Sequence, residues 1–163
     1  LTVMGMLQGK QVSWLPSYGP EMRGGTANCS VVIGDEPVSS PIVYEPDILL
    51  AMNLPSLDKY ENAVAENGWI FVNSSLVDRQ IRRTNVRDVY VPATRLATEN
   101  EMEGLANMIL AGAMLAGWAA CDEPLIQETL KHLVSDKHPE LFDRNLQALR
   151  LGSRFRGFPP QAG

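Results

Sequence analysis

Short apolar and β-branched runs alternate along the chain with longer segments of helical periodicity. The run Ile48, Leu49, Leu50 and Ala51 is continuously apolar, which is typical of a strand buried on both faces of a parallel sheet. The other runs are bounded by turn residues, and Pro16 closes the first of them. The pattern predicts five strands, at residues 12–15, 28–33, 47–52, 69–72 and 89–91.

Helical segments lie between these strands and after them. Ser56 is the predicted N-cap of the helix that follows the third strand, and Gly68 stands just past the end of that helix. A strand, a capped helix and a second strand within about thirty residues indicate a βαβ unit. The C-terminal third is predicted to be helical, with Gly152 as the last stop signal and helices at residues 101–120, 124–134 and 139–151.

This order of elements predicts an α/β fold: three α/β/α layers with a mostly parallel, Rossmann-like sheet and a helical C-terminal third. The 163 residues and the 45% hydrophobic content fit one ordinary globular domain. We expect that single domain to cover residues 1–152. The Pro- and Gly-rich residues 153–163 are expected to form an extended or disordered tail.

Composition narrows the possible functions. A formal net charge of −5 argues against general nucleic-acid binding, which requires a basic face. One arginine cluster is interleaved with Asp78 and Asp88, and we expect it to be a solvated, partly self-neutralised face rather than an anion site; it comprises Arg79, Arg82, Arg83 and Arg87. Cys29 and Cys121 are too few for an iron–sulfur cluster and are expected to be small buried hydrophobic residues.

Residues 104–121 carry no charge, but the glycines, the many alanines and the missing basic anchors favour a buried helix over a membrane span. Its small side chains would let another element approach closely, either inside the domain or at an assembly surface; they are Ala111, Gly112, Ala113, Ala116 and Gly117. No secretory signal pattern is visible, so we expect a cytoplasmic protein without membrane association.

Residues 16–28, PSYGPEMRGGTAN, form the least periodic stretch and are predicted to be a loop between two strands. Gly24 and Gly25 can bring backbone N–H groups close to an anion, and Arg23 adds a planar donor fork suited to phosphate or carboxylate. Ligands of open α/β sheets bind beyond the carboxyl ends of strands, which makes this loop a candidate site. A plain connection, with Arg23 paired to Glu21, explains the same residues.

The block at residues 14–29, WLPSYGPEMRGGTANC, resembles the hallmark segment of the γ subunits and γ domains of 2-oxoacid:ferredoxin oxidoreductases. Further matches follow in the family's order at residues 51–60 (AMNLPSLDKY), 73–77 (NSSLV), 91–94 (VPAT), 107–110 (NMIL) and 138–140 (HPE). The resemblance covers about residues 9–152. Members of the family usually begin with a strand and a glycine-rich turn, whereas this sequence opens on what looks like the end of the first helix, at residues 3–9.

The resemblance implies an oxidoreductase subunit that supports thiamine-diphosphate-dependent oxidative decarboxylation of a 2-oxoacid to acyl-CoA. Thiamine diphosphate, Mg²⁺, iron–sulfur clusters and coenzyme A would belong to the complex, with no cofactor bound by this chain alone and no catalytic residue or metal site on it. The partners would be thiamine-binding α- and β-type subunits and a ferredoxin-like subunit. The implied edge for coenzyme A or for a partner loop comprises Tyr18, Gly19, Arg23, Gly24, Gly25, Asn28, Asn53, Ser74 and Ser75.

Two alternatives remain at the level of sequence. One is a free-standing nucleotide- or anion-binding module of the same fold, and the other is a purely structural subunit. A homo-oligomer of the isolated chain is compatible with either. The 2-oxoacid is not fixed by these residues, although the matches lean slightly towards 2-oxoglutarate or branched-chain acids.

Overall fold

The computed structural model describes residues 1–17, 27–117, 121–134 and 139–155. Helix α1 (Thr2–Leu7) is followed by β1 (Gln11–Ser17) and β2 (Asn28–Gly34). The two strands form an antiparallel pair of their own, with Trp14 opposite Val31. Strand β1 continues through Pro16, where the sequence pattern predicted its end. Each strand of a two-stranded sheet has one unpaired edge. Proline has no backbone N–H to donate, and an edge strand tolerates it because such a strand is paired on one side only.

Three parallel strands form the second sheet, in the order β3 (Ile48–Ala51), β4 (Trp69–Asn73) and β5 (Arg87–Val91). Leu50 lies opposite Phe71, and Phe71 lies opposite Val89. All three strands were predicted from their apolar runs. Strand β1 belongs to the antiparallel pair, so the expectation that the strand before residues 18–26 is part of the parallel sheet is wrong.

Helices cover both faces of the parallel sheet. The helices are α2 (Leu54–Tyr60, continued by a 3₁₀ turn at Glu61–Ala63), α3 (Ala93–Glu99), α4 (Ala106–Ala116), α5 (Glu123–Leu133) and α6 (Pro139–Ser153). Ile70 and Val72 pack with Leu57 on one face. Phe71, between them in the strand, belongs to the larger core with Ile109. Alternate residues of β4 therefore enter opposite layers, which confirms the three-layer α/β prediction.

The cap of α2 differs from the prediction. Asn53, not Ser56, is the N-cap, because its backbone is extended and its side chain accepts a hydrogen bond from the Ser56 N–H at 3.0 Å. Pro55 then occupies the first helical turn, where its missing N–H costs nothing. Both Asn and Ser are good caps, and the presence of Pro55 in the first turn is the sequence feature that points to Asn53.

The single helix predicted at residues 101–120 is also corrected. Glu101 and Gly104 have φ values of 55° and 84°, which are incompatible with an α-helix, and α4 begins only at Ala106. Residues 118–120 lie outside the described residues. The preceding helix, α3, has seven residues and was missed. Helix α5 was predicted to within one residue at each end.

Two glycines allow α4 and α6 to pack backbone against backbone. A Cβ on Gly152 would lie 1.8 Å from the Ile109 carbonyl oxygen, and one on Gly112 would lie 2.1 Å from the Leu149 carbonyl oxygen. Gly152 is therefore a packing residue within α6 and not the stop signal that was predicted. The small residues of α4 serve an internal contact at Gly112 and Ala113, which are buried. Within the described residues, no helix is both long enough and apolar enough to cross a membrane.

Candidate functional site

The carboxyl edge of the parallel sheet brings together three of the predicted site residues. Asn53 follows β3, and Ser74 and Ser75 follow β4. The strand ends are joined across this edge, because the Asn73 side-chain amide donates to the Met52 carbonyl at 3.3 Å. Parallel strands end at the same edge of a sheet, so these side chains share one rim of the molecule.

Asn73, which the sequence analysis did not single out, organises this edge. Its side chain is fully buried, and its amide donates to the Thr94 hydroxyl at 2.8 Å. Its carbonyl oxygen accepts from the Thr94 N–H at 3.3 Å and from the Ser75 N–H at 3.4 Å. A polar residue that directly follows the apolar run 69–72 was the available signal. Asn73 thus fixes the ends of all three strands relative to one another.

Two of the predicted site residues hold helix termini. The Ser75 hydroxyl accepts a hydrogen bond from the Arg95 N–H at 3.0 Å in the first turn of α3. Asn53 caps α2, as described above. These oxygens satisfy backbone groups that the first turn of a helix leaves without partners. Their established contribution is therefore to the shape of the edge.

Of the remaining predicted site residues, the structure describes only Asn28. Asn28 pairs with Ser17 in the antiparallel hairpin, which is a separate sheet. Asn28 thus lies in a different sheet from the strands that Asn53, Ser74 and Ser75 follow. Five further candidates lie outside the described residues: Tyr18, Gly19, Arg23, Gly24 and Gly25.

Arg79 and Arg83 of the arginine cluster form a structural network, whereas a solvated, partly self-neutralised face was expected. The acidic partners of Arg79 are Asp58 and Glu61. Arg79 bonds Asp58 through Nε at 3.1 Å and bonds Glu61 through Nη2 at 2.8 Å. Arg83 donates to the Val64 carbonyl and also to the Glu61 carbonyl. Arg87 lies over the Trp69 ring, 5.1 Å from its centroid. Arg79 and Arg83 thus attach the segment after β4 to α2 and to the residues that directly follow it.

Glu61 is the buried anion of this network, with 3% of its surface exposed. Burial raises the pKa of its carboxyl group, but hydrogen bonds from the Arg82 N–H and the Arg79 side chain lower it by more. The net pKa of Glu61 is below its ordinary value. The hydrogen bond to Asp58 is in turn the largest cause of a raised pKa at Arg79. Glu61 is therefore ionised at neutral pH, and its role is structural.

The two thiols differ in environment. Cys29 is exposed on β2, contrary to the expectation of burial, and the Trp14 indole N–H donates to its sulfur at 2.9 Å. Cys121 is half-buried, with its sulfur 3.4 Å from that of Met4. Burial raises the pKa of the Cys121 thiol, which disfavours a thiolate nucleophile. The described segments contain no group of three or more His, Cys, Asp or Glu residues arranged to hold a metal ion.

A small cavity of about 180 Å³ lies among α4, α5 and α6, away from the carboxyl edge of the sheet. Its lining is mostly apolar and includes Leu115 and Ile126. Glu123 and Arg150 also line it, and they form an ion pair with an Nε–Oε1 distance of 2.9 Å. The hydrogen bond from Arg150 is the main cause of a lowered pKa at Glu123.

Comparison with known proteins decides the family. Residues 1–155 match the family model described as pyruvate ferredoxin/flavodoxin oxidoreductase. The chain belongs to this family. The resemblance inferred from residues 14–29 and from the later matches is thereby confirmed.

Two curated relatives within the pyruvate ferredoxin/flavodoxin oxidoreductase family differ in length. The chain is 38% identical over 147 residues to the ketoisovalerate oxidoreductase subunit VorA of Methanothermobacter marburgensis, covering 90% of this chain but 30% of that one. It is 32% identical over 146 residues to the 2-oxoglutarate synthase subunit KorC of Methanocaldococcus jannaschii, covering 88% of this chain and 76% of KorC. The chain thus spans less than a third of VorA and three quarters of KorC.

Solved structures from the same family share the fold. The γ subunit of a keto/oxoacid ferredoxin oxidoreductase from Geobacter sulfurreducens superposes with a TM-score of 0.74 at 27% identity, covering 94% of this chain and 84% of that one. A 2-oxoglutarate:ferredoxin oxidoreductase from Magnetococcus marinus, with 2-oxoglutarate, coenzyme A and succinyl-CoA bound, gives a TM-score of 0.81 at 19% identity, with 99% of this chain and 28% of that one covered. The second likeness shows the fold alone.

Proposed function

We propose that this chain is the γ-type unit of a 2-oxoacid:ferredoxin oxidoreductase and supports oxidative decarboxylation of a 2-oxoacid to acyl-CoA. The observation that carries the proposal is the family match over residues 1–155, together with a KorC relative covered over 76% of its length. The names of the relatives favour 2-oxoglutarate or a branched-chain 2-oxoacid as substrate.

The proposal places the redox chemistry on partner chains. Carbanion stabilisation requires thiamine diphosphate with Mg²⁺, and one-electron transfer requires iron–sulfur clusters. A cluster usually takes four thiolates, and the chain has two cysteines, one of which is exposed on β2 and the other half-buried beside Met4. We therefore assign thiamine binding to α- and β-type subunits and electron transfer to a ferredoxin-like subunit.

The same proposal gives the chain a role near coenzyme A. The acyl acceptor carries phosphates, which suit the guanidinium of Arg23 and the backbone N–H groups of Gly24 and Gly25. The Magnetococcus marinus neighbour, of which the chain covers 28%, contains bound coenzyme A, so a larger enzyme that includes this fold does bind the coenzyme. Asn53, Ser74 and Ser75 offer a second polar rim, at the carboxyl edge of the parallel sheet.

The first test is isolation of the assembled protein from its native cell through a tag on this chain. Co-elution of thiamine-binding and ferredoxin-like subunits, with 2-oxoacid- and coenzyme A-dependent reduction of a viologen dye, would establish the function. A chain that elutes alone would refute it, as would a complex that is inert with every 2-oxoacid tried. Comparison of 2-oxoglutarate, 2-oxoisovalerate and pyruvate in this assay identifies the substrate.

A second test separates coenzyme contact from interface shaping. Arg23→Ala in the assembled enzyme should raise the KM for coenzyme A about tenfold, which corresponds to the loss of one charge-assisted phosphate contact. Arg150→Ala is the matched control, because Arg150 is a half-exposed arginine on α6 whose ion-pair partner is Glu123 on α5. Equal KM values for wild type and Arg23→Ala would remove the coenzyme role.

A further inference from the structure

The carboxyl edge of the parallel sheet is held in one arrangement by the buried Asn73 side chain. Its amide donates to the Met52 carbonyl and to the Thr94 hydroxyl. Its carbonyl oxygen accepts from the Ser75 N–H and from the Thr94 N–H. A buried polar group with all its hydrogen bonds made gives its surroundings one fixed arrangement. Groups displayed on this edge therefore have fixed positions before a ligand arrives, which lowers the cost of binding.

The Ser74 hydroxyl differs from the other predicted site groups on this edge. The side-chain oxygens of Asn53 and Ser75 already accept hydrogen bonds from helix N–H groups. The Ser74 N–H donates to the Val91 carbonyl at 2.9 Å, but the half-buried Ser74 hydroxyl has no hydrogen-bond partner in the part of the chain that the structure describes. A hydroxyl can both donate and accept, so that of Ser74 is available to a ligand.

Arg95 brings a positive charge to the same edge, although the sequence analysis did not single it out. Its backbone N–H donates to the Ser75 hydroxyl at 3.0 Å, which fixes Arg95 beside the residues that follow β4. Its side chain is 67% exposed, and its acidic partner is Glu99, with an Nε–Oε1 distance of 3.6 Å. An exposed ion pair of this kind is weak, so the guanidinium can exchange it for a phosphate, whose geometry it matches.

We infer that the Ser74 hydroxyl and the Arg95 guanidinium form a site for a phosphate group of coenzyme A. The inference rests on the proposed function, which supplies coenzyme A as the acyl acceptor. Ligands of open α/β sheets bind beyond the carboxyl ends of strands, where both residues lie. Phosphate oxygens accept hydrogen bonds from hydroxyl and guanidinium donors together, and the charge-assisted bond to Arg95 is the stronger of the two.

The shape of coenzyme A favours it over the other anions of the proposed reaction. Its phosphates lie at the opposite end of the molecule from the thiol that accepts the acyl group. A chain that does not hold thiamine can therefore bind the phosphate end while the chemistry takes place on a partner chain. The 2-oxoacid must instead lie beside thiamine diphosphate, which the proposed function assigns to other subunits. Coenzyme A carries more than one phosphate, so this site and Arg23 can serve different ones.

The test uses the assembled enzyme and its dye-reduction assay. The double variant Ser74→Ala/Arg95→Gln should raise the KM for coenzyme A by about tenfold and leave kcat unchanged, because it removes binding contacts that do not change during the reaction. The KM for the 2-oxoacid and the concentration of thiamine diphosphate that gives half-maximal activity should stay the same. A rise in either of these in place of the KM for coenzyme A would overturn the inference, since the edge would then serve a different anion.

A matched control is available on α6, away from this edge. Ser153→Ala/Arg150→Gln removes one serine hydroxyl and one guanidinium that both line the cavity among α4, α5 and α6. This variant should change the KM for coenzyme A by less than about twofold. Both double variants should elute with the same partner subunits as wild type, which separates ligand binding from assembly.

A second probe tests the chemical class of the ligand. Adenosine 3′,5′-bisphosphate has phosphates like those of coenzyme A but lacks the thiol arm, and it should compete with coenzyme A in the wild-type enzyme. Its inhibition constant should rise about tenfold in Ser74→Ala/Arg95→Gln, whereas that of adenosine, which has no phosphate, should not change. Equal inhibition of wild type and variant by the bisphosphate would overturn the phosphate site.

The failures can be distinguished from each other. If the wild-type complex reduces dye with a 2-oxoacid and coenzyme A, but the double variant has the KM of the α6 control, the proposed function stands and the phosphate site is wrong. If the wild-type complex reduces no dye with any 2-oxoacid, the proposed function fails, and the phosphate site fails with it.

Discussion

The N-terminal unit, made of α1, β1 and β2, and the parallel-sheet region that follows it are stabilised in different ways. Among the described residues of the N-terminal unit, Met4 is the only one with a buried hydrophobic side chain. The unit leaves several large apolar side chains exposed, namely Met6, Leu7, Trp14 and Leu15. The parallel sheet, by contrast, buries both faces of β4 beneath helices.

The difference shows which part of the chain can stand alone. A two-stranded hairpin is at best marginally stable in water, and here its strands gain support from α1, where Gly5 approaches Val12 and Ile33. The parallel sheet has a core on each face and the close α4–α6 crossing. We therefore expect the parallel-sheet region to be the stable body and the N-terminal unit to be completed by contacts within the larger assembly.

Hydrogen exchange of the isolated chain should show this contrast most clearly. Backbone amides of β1 and β2 should exchange at least about a hundredfold faster than those of β4, because local opening exposes little apolar surface in the hairpin. Mass spectrometry of exchanged peptides gives both rates in one experiment. Equal protection in the two regions would contradict the comparison.

Substitution at the α4–α6 crossing should unfold the parallel-sheet region. Gly152→Ala places a methyl group 1.8 Å from the Ile109 carbonyl oxygen, and helix backbones cannot relieve this by a rotamer change. We expect a loss of roughly 3 kcal/mol or more in the free energy of unfolding, measured by urea denaturation. Gly34→Ala on β2 is the control, because no atom lies within 4 Å of its added Cβ. A Gly152→Ala variant as stable as Gly34→Ala would show that the two helices can separate at low cost.

The sequence predicted the parallel-sheet region better than the N-terminal unit, for a physical reason. Strands β3, β4 and β5 are short apolar runs whose burial follows from local composition. Residues 18–26 separate β1 from β2 in the sequence, and the pairing depends on contacts between the two strands. No local pattern distinguishes an antiparallel pair from two strands of a larger sheet. Gly152 shows the same limit, since a glycine near a helix end looks like a stop until its neighbouring helix is known.

The candidate site was predicted in part. Asn53, Ser74 and Ser75 do lie at the carboxyl edge of the parallel sheet, since their positions follow directly from the strand ends. The hydrogen bond between Ser75 and the first turn of α3 was not predicted, because α3 itself was missed. Asn73 was overlooked because the sequence shows it only as a polar residue at the end of a strand. Its four hydrogen bonds to Met52, Thr94 and Ser75 become visible only in the folded structure.

Removal of the buried carboxylate should weaken the parallel-sheet region by an intermediate amount. Glu61→Gln loses charge-assisted hydrogen bonds to Arg79 and the Arg82 N–H, which we expect to cost roughly 2 kcal/mol in the free energy of unfolding at pH 7. Hydrogen-exchange protection should fall in β3 to β5 and stay the same in β1 and β2. Glu123→Gln is the control, because Glu123 is an ion-paired carboxylate whose side chain is 45% exposed.

The same variant has a defined pH signature. The pKa of Glu61 is lower in the folded chain than in the unfolded chain, because the hydrogen bonds from the Arg82 N–H and Arg79 outweigh the effect of burial. Its contribution is therefore complete above the unfolded value and disappears as the pH falls through the folded one. Urea denaturation at a series of acidic pH values should give a shallower loss of stability for Glu61→Gln than for wild type. Parallel curves would mean that Glu61 does not titrate with folding.

The smallest expected effect is a gain in stability from a substitution on α5, the helix that packs against both regions. Helix α5 packs against both α1 and α6, and the buried Thr129 hydroxyl on it has no hydrogen-bond partner among the residues that the structure describes. Thr129→Val keeps the shape and removes the unpaired polar group, so the free energy of unfolding should rise by roughly 1 kcal/mol. Thr98→Val is the matched control, because the Thr98 hydroxyl is exposed and donates to the Thr94 carbonyl at 3.2 Å; its stability should change by no more than about 0.5 kcal/mol. If thermal unfolding shows Thr129→Val to be less stable than wild type, the hydroxyl has a partner in solution, and the packing of α5 between the two regions is more polar than its apolar neighbours indicate.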